Sequence, residues 1–214
     1  MPLSEFVQRE IAGPLGLDGL HIGTPEHEHH RVARLQPSAE ALATSPSTRR
    51  LERFAMRDSM RPFADALLVD GLLDLLREER SYTAEIPAAN GIFTARSLAR
   101  MYAALGAGGE LDGARIMSGE HAAKLPQLQV DARDYVIKVN MKWRLGYHRP
   151  FAFARHTDSG FGHFGYGGSG GWADPESGVA VGFVTNDNTG ASTPFADLRL
   201  FRLGGLALRL ARKR

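Results

Sequence analysis

A histidine set among glycines is where this sequence concentrates side chains that could do chemistry. Residues 159–186 read SGFGHFGYGGSGGWADPESGVAVGFVTN, and three patterns overlap there. Gly160-Phe161-Gly162-His163-Phe164-Gly165 fits G-x-G-x-x-G, but a dinucleotide site needs a helix N-terminus immediately afterwards to hold the pyrophosphate. A further glycine run and Pro175 follow instead. Gly167-Gly168-Ser169-Gly170-Gly171 fits G-x-S-x-G, yet a nucleophile elbow is a strand-to-helix turn whose histidine comes later in the chain. No histidine follows Ser169. What remains is His163-Phe164-Gly165, a His-x-Gly on a strand where missing side chains let another group approach the backbone. A second cluster, TPEHEHHR at 24–31, contains the ligand types His27, Glu28, His29 and His30. Its spacing departs from H-E-x-x-H, and adjacent loop residues rarely converge on one ion. An exposed polar loop is the expectation there, with no metal or other cofactor.

The elements that must position His163 follow from turn chemistry and periodicity. In Asp174-Pro175-Glu176-Ser177-Gly178, proline presets φ and glycine supplies positive φ, which closes an antiparallel hairpin. The arm after it places Val179, Val181 and Phe183 on one face and Ala180, Gly182 and Val184 on the other, as expected of an interior strand with a helix on its small-residue face. Trp143, Leu145 and Tyr147 alternate with Lys142, Arg144, Gly146 and His148, the pattern of a strand with one exposed face. Three antiparallel strands are therefore expected, near 142–148, 159–172 and 178–186. Apolar residues 3, 6, 7 and 11 predict a helix that Gly13-Pro14 stops. Residues 37–50 read as a breaker-rich linker, and 51–80 carry helical leucines at 67, 68, 72, 73, 75 and 76. Thr94 caps a helix from Ala95 to Leu105, and Ser118 starts another. Ser192 or Thr193 caps a terminal helix with Pro194 in its first turn and Phe195, Leu198, Phe201, Leu206 and Leu210 as its apolar set.

Composition bounds the rest. The chain has 214 residues, 43% of them hydrophobic, enough for one domain with a core. Without cysteine it has neither disulfides nor a thiolate metal site. Basic residues are spread among acidic ones to a net charge of +2. With no aromatic-interleaved basic patch, nucleic acid is not an expected partner. Met1-Pro2-Leu3-Ser4 begins no signal sequence and no apolar run approaches a membrane span, so a cytoplasmic location without stable membrane insertion is expected.

The run G-H-x-G-x-G-G-S-x-G-x-A-D-P-x-x-G, from 162 to 178 and ending in an apolar strand closed by Asn186, resembles the third-motif strand of the β-lactamase-related serine hydrolases. These are the class C β-lactamase-like esterases and lipases of the penicillin-binding-protein-like transpeptidase fold. Residues 6–35 (FVQREIAGPLGLD…HIGTP…RVARL) resemble the helix and Pro-Leu-Gly turn after that family's second motif, and 86–118 (IPAANGIFTARSLARMYAAL…GGELDGARIMS) the segment leading to its last strands. The resemblance implies an α+β class with a partial β-lactamase/DD-peptidase-like fold. A mostly helical region, 1–125, with a variable linker or lid near 36–85, would precede an antiparallel sheet and C-terminal helix, 126–214, in one domain. It implies an acyl ester or β-lactam substrate, with esters favoured by histidine where β-lactamases carry lysine. His163, Phe164 and Gly165 would line the substrate, and the Tyr166 N–H would be one oxyanion donor. Phe164 and Tyr166 stand where the family usually has small residues, so a narrower pocket is expected. The family's Ser-x-x-Lys nucleophile and Tyr-x-Asn base occur nowhere in these 214 residues. The resemblance thus describes a C-terminal half that is inactive alone, or a silent domain that only binds. In the family's strand order the last strand pairs with an N-terminal one, so an unpaired edge at 178–186 would favour self-association.

Overall fold

The structure is a computed structural model that describes residues 1–36, 46, 49, 53–54, 56–152, 157–165, 167–187 and 197–211, save the side chain of Leu73. Helix α1, Leu3–Val7, continues into a wider π-helical turn, Gln8–Ala12, before Gly13 and Pro14 end it. Val7 and Ala12 are buried and pack with Leu20 of strand β1, Leu20–His21. β1 pairs antiparallel with β2, Ile92–Phe93, with Leu20 opposite Phe93. This pairing ties the N-terminus to the helix that carries the sheet.

Residues 24–31 form a 3₁₀ turn over Glu26–Arg31 rather than an irregular loop. Its histidines diverge: His29 Nε2 lies 3.1 Å from the Thr24 carbonyl, and His30 Nδ1 lies 2.8 Å from that of His27. The expected linker at 37–50 lies outside the described residues, 46 and 49 apart. The leucine-rich stretch after it forms two short helices, α2 (Arg61–Leu67) and α3 (Leu72–Leu75), with Phe63 buried.

The Thr94 hydroxyl accepts the Ser97 N–H at 3.2 Å and caps helix α4, Ala95–Gly106. Thr94 and Ser97 both donate to the Asp18 carbonyl, at 2.9 and 2.7 Å. Leu98, Tyr102 and Leu105 form the buried face of α4 and pack with Phe161, Leu125 and Ala173. After a small ribbon, β3 (Glu110–Leu111) with β4 (Ala114–Arg115), Ser118 caps the single-turn helix α5, Gly119–Ala122.

The main sheet has the order β5–β6–β7, all antiparallel: Phe161–Phe164, Gly170–Asp174 and Val179–Phe183. The expected single strand at 159–172 is two strands, because the chain reverses between Gly165 and Ser169. The Gly165 N–H bonds the Ser169 carbonyl at 2.9 Å, and the Gly168 N–H bonds the Gly165 carbonyl at 3.0 Å. Gly167 and Gly168 hold the positive φ values, 81° and 92°, that this turn requires. The expected strand at 142–148 is also corrected. That segment is a tight turn in which the Arg144 N–H bonds the Tyr147 carbonyl at 2.7 Å, and it meets its neighbours only at isolated bridges, among them Trp143 to His148. Arg144, placed by alternation on an exposed face, is buried, with its guanidinium donating to the Pro126 carbonyl and, at 2.6 Å, to that of Asp158. Alternation presumes an extended backbone, which Lys142 (φ 49°) and Gly146 (φ 78°) break on either side.

One face of the sheet carries α4. An added Cβ at Gly182 would lie 2.5 Å from the Ala95 carbonyl and 2.7 Å from the Ala99 nitrogen, and one at Gly171 would lie 2.6 Å from the Tyr102 ring. The small-residue face read from the sequence is therefore where the helix seats. The other face carries α6, Leu198–Ala211. Its expected caps, Ser192 and Thr193, lie outside the described residues with Pro194 and Phe195. The helix starts beside Asp197, whose carboxylate accepts the Arg199 N–H at 2.7 Å. Its buried residues are Leu200, Gly204, Gly205 and Leu208, whereas Leu206 and Leu210 of the expected apolar set are exposed. Glycine is what turns the face: a Cβ at Gly204 would meet the Trp172 indole at 3.0 Å, so the closest contact is made by a residue that leucine periodicity does not register.

The hairpin turn is held by the buried Asp174 carboxylate. Burial alone would raise its pKa, but hydroxyl donation from Ser159, Ser177 (2.6 Å) and Thr157 (2.5 Å) outweighs it and leaves the carboxyl below its usual range. The helix-to-sheet seat is directly testable. Gly182→Ala is expected to cost about 1–3 kcal/mol, the range for overpacking a close contact, and to lower the urea midpoint without changing the slope. An unchanged midpoint would contradict the close approach of α4.

Candidate functional site

Strand β5 ends in the His-x-Gly sequence. Its inner edge pairs with β6, with His163 opposite Gly171 and Phe164 opposite Gly170. Among the described residues its outer edge is paired at one residue, Gly162. The His148 N–H bonds the Gly162 carbonyl at 2.9 Å, and the Gly162 N–H bonds the His148 carbonyl at 3.1 Å. Strand alternation turns the amide of Phe164 the same way as that of Gly162, and among the described residues no backbone group pairs with it there. At Gly165 an added Cβ would meet nothing within 4 Å. Among the described residues Gly165 thus leaves open space just past the end of the strand, two residues from His163.

Two histidines dominate the chemistry. The His148 ring is buried, and its Nδ1 lies 2.9 Å from the Arg149 carbonyl. A carbonyl accepts only, so Nδ1 carries the proton and Nε2 is the unprotonated acceptor. Burial lowers the His148 pKa to about 4, with the neighbouring His163 adding to the effect, so the ring is neutral at pH 7. His163 reaches the surface, yet its ring centroid is 5.2 Å from that of His148 and it stacks on Phe164 at 6.4 Å. This partial removal of water lowers its pKa as well. The site therefore presents neutral imidazoles.

Phe164 turns its ring toward α6, within 5.5 Å of Phe201, 5.7 Å of Phe151 and 4.7 Å of His148 between centroids. Its bulk fills the space behind the strand. Ser169 is engaged with the backbone: its hydroxyl accepts the Thr185 N–H at 3.0 Å and donates to the Thr185 carbonyl at 3.3 Å. It joins the start of β6 to the end of β7.

Comparison with known proteins places this arrangement. A family model described as Beta-lactamase matches residues 1–205. The chain belongs to the β-lactamase family. It is 40% identical over 182 residues to the esterase/beta-lactamase LipL of Mycobacterium tuberculosis, an alignment that covers 84% of this chain and 42% of LipL. It superposes in full on a family VIII carboxylesterase, with a TM-score of 0.74, 29% identity and 52% of that chain covered. It superposes equally fully on a penicillin-binding protein homologue from Caulobacter crescentus, with a TM-score of 0.65, 29% identity and 52% of that chain covered. The chain thus spans about half the length of the relatives it matches.

Within this β-lactamase-family fold, His163, Phe164 and Gly165 are brought together at the end of β5, while Tyr166 lies outside the described residues. Among the described residues no helix is long and apolar enough to cross a membrane, and no group of three or more His, Asp or Glu side chains is placed to hold a metal ion. Sequence reasoning missed His148, Phe151, Trp172 and Phe201, which pack behind Phe164. Alternation in the sequence sets His148 on an exposed strand face, whereas the turn at 143–148 brings it under β5. No local pattern marks such a residue.

The buried histidine has a measurable consequence. Its folded pKa lies below the ordinary 6.5, so between pH 6.5 and 4 the unfolded chain binds a proton that the folded chain does not. Stability is fully present above pH 6.5 and falls as pH drops through that window, by on the order of 3 kcal/mol from His148. Urea midpoints measured from pH 7.5 to 4 are expected to fall accordingly, less steeply in His148→Gln. An equal slope in the variant would show that His148 is not buried neutral.

Proposed function

We propose that this chain supplies the substrate-binding strand of an esterase-like serine hydrolase, in which an acyl ester lies along the open outer edge of β5. The observation that carries the reading is that edge: among the described residues backbone pairing stops at the Gly162–His148 bridge, and a side chain at Gly165 would meet nothing within 4 Å. In this reading Gly165 leaves room for the acyl group, the Tyr166 N–H donates to the developing oxyanion, and His163 hydrogen-bonds the substrate. An oxyanion donor of this kind is worth on the order of 3 kcal/mol in the transition state. The neutral imidazoles favour an uncharged ester over a substrate that needs a fixed cation, and the likeness to LipL and to a family VIII carboxylesterase supports the same class.

The 214 residues contain no Ser-x-x-Lys and no Tyr-x-Asn, so the nucleophile and base are not provided by them. The chain alone binds and does not turn over. Residues 1–125 and 126–214 act in this reading as one domain, because α4 from the first part seats on β6 and β7 of the second.

The folded chain, treated with a fluorophosphonate and analysed by intact mass beside a nitrophenyl acetate assay, is expected to give neither adduct nor turnover. The ester is nevertheless expected to shift the NMR resonances of His163 and Gly165. An adduct with turnover would mean that the chain has its own nucleophile, and unshifted His163 and Gly165 would remove the strand from the site.

Among the described residues the outer edge of β7 has no strand partner, and Val184 and the leucines at 203, 206 and 210 of α6 are exposed. An open apolar edge pairs readily with a second copy. Light scattering is expected to show a mass above that of the monomer that rises with concentration, and less of it for Val184→Lys. A strictly monomeric chain at high concentration would contradict the pairing.

A further inference from the structure

Helix α6 seats one face on the sheet through Leu200, Gly204, Gly205 and Leu208. Leu203, Leu206 and Leu210, at three- and four-residue spacing, therefore line up on its solvent side, where they are 49%, 41% and 55% exposed. Arg202 and Arg209, also exposed, lie seven residues apart along one flank of this leucine ridge. Arg199 at its N-terminal end is held by the buried Asp197 at 2.5 Å. Among the described residues neither Arg202 nor Arg209 has an ion-pair partner, and residues 198–211 contain no Asp or Glu. The outer face of a surface helix is ordinarily polar with charges of both signs. Here it is leucine beside unpaired arginine.

That combination narrows what can cover the face. A second copy docked on it symmetrically would set the same arginines against one another, with no carboxylate on either helix to meet them. Pairing of copies is thus left to the edge of β7. A rigid partner would need a groove shaped to the ridge, whereas lipid is fluid and conforms to it. An anionic bilayer surface supplies both complements at once, an acyl boundary for the leucines and phosphates for the arginines. With 14 residues α6 is about 21 Å long, short of the roughly 30 Å of a hydrocarbon core, and its other face is committed to the sheet. It can lie on a membrane and cannot span one. We propose that the outer face of α6 is a membrane-surface contact that adsorbs the folded chain onto anionic lipid, with Leu203, Leu206 and Leu210 at the acyl boundary and Arg202 and Arg209 among the headgroup phosphates. The inference does not rest on the hydrolase reading.

The test sediments the folded chain with vesicles of phosphatidylcholine alone and of phosphatidylcholine mixed equally with phosphatidylglycerol. Binding to the anionic vesicles is expected to be roughly tenfold tighter or more, and to weaken as salt is raised. Arg202→Gln with Arg209→Gln is expected to lower it by roughly fivefold for each arginine. Leu206→Ser with Leu210→Ser is expected to lower it by roughly tenfold, with the circular dichroism unchanged because both side chains are exposed. Polyglutamate, a polyanion with no apolar phase, is expected to bind weakly and to be indifferent to the leucine changes. Equal binding to the two kinds of vesicle, or no loss in the arginine variant, would overturn the contact. Polyglutamate bound as tightly as the anionic vesicles would also overturn it and point to an acidic protein partner. A leucine variant that turns monomeric in light scattering yet binds vesicles as before would give the face to a second copy instead. None of these readouts requires turnover, so their failure would leave the ester-binding strand standing.

Discussion

The close seat of α4 on the small-residue face of the sheet is the constraint on which the rest of this structure depends. Gly182 and Gly171 bring the helix backbone and the Tyr102 ring against β7 and β6 at distances where no side chain would fit. Tyr102 then packs with Tyr147 and Phe161 in one buried cluster. Phe161 is the first residue of β5, fully buried, and burying such a ring is worth about 1.5–3 kcal/mol. A strand cannot slip by one residue without turning its buried set outward. Phe161 under Tyr102 therefore fixes which residue of β5 reaches the open edge, and His163 is placed by a contact made two residues earlier.

The turn at 143–148 sets how far the sheet extends past β5 among the described residues. An edge strand with free amides invites a further strand, and a full partner on β5 would leave no room for a ligand. Among the described residues the bridge between His148 and Gly162 occupies one position of that edge. The turn's shape is held by Arg144, whose buried guanidinium spans the carbonyls of Pro126 and Asp158, and by the Trp143 indole, which donates to Asp134 at 2.9 Å. Both anchors lie away from the strand edge. The loop can thus present His148 beneath β5 without placing a charge there.

Much of this was legible in the sequence because it is encoded locally. The Asp174-Pro175 hairpin, the cap at Thr94, the helix on the Ala180 and Gly182 face and the His-x-Gly strand each depend on residues a few positions apart. What was not legible depends on contacts distant in sequence. His148 meets Gly162 across a turn whose positive φ at Lys142 is carried by a residue that does not announce it. The buried face of α6 is set by Gly204 against Trp172, so counting leucines picked Leu206 and Leu210, which are exposed. Ser169, which the G-x-S-x-G pattern flags and the absence of a later histidine rules out as an elbow nucleophile, has its hydroxyl engaged by both backbone groups of Thr185.

The glycine run after the site has a role beyond flexibility. Gly168 holds φ at 92°, and a Cβ there would lie 2.4 Å from the Cβ of Asp197. Asp197 is fully buried and binds the Arg199 guanidinium at 2.8 and 2.5 Å as well as its N–H, so it marks where α6 begins. The turn that follows Gly165 therefore rests on the start of the helix covering the opposite face of the sheet. The same helix brings Leu200 against Trp172 and Phe201 against Phe164. A displacement of α6 would be felt at once by the turn beyond His163 and by the ring of Phe164, since both rest on its first turn. The turn beyond His163 and the packing of Phe164 are thus fixed by a single helix start, and neither can be reshaped without the other.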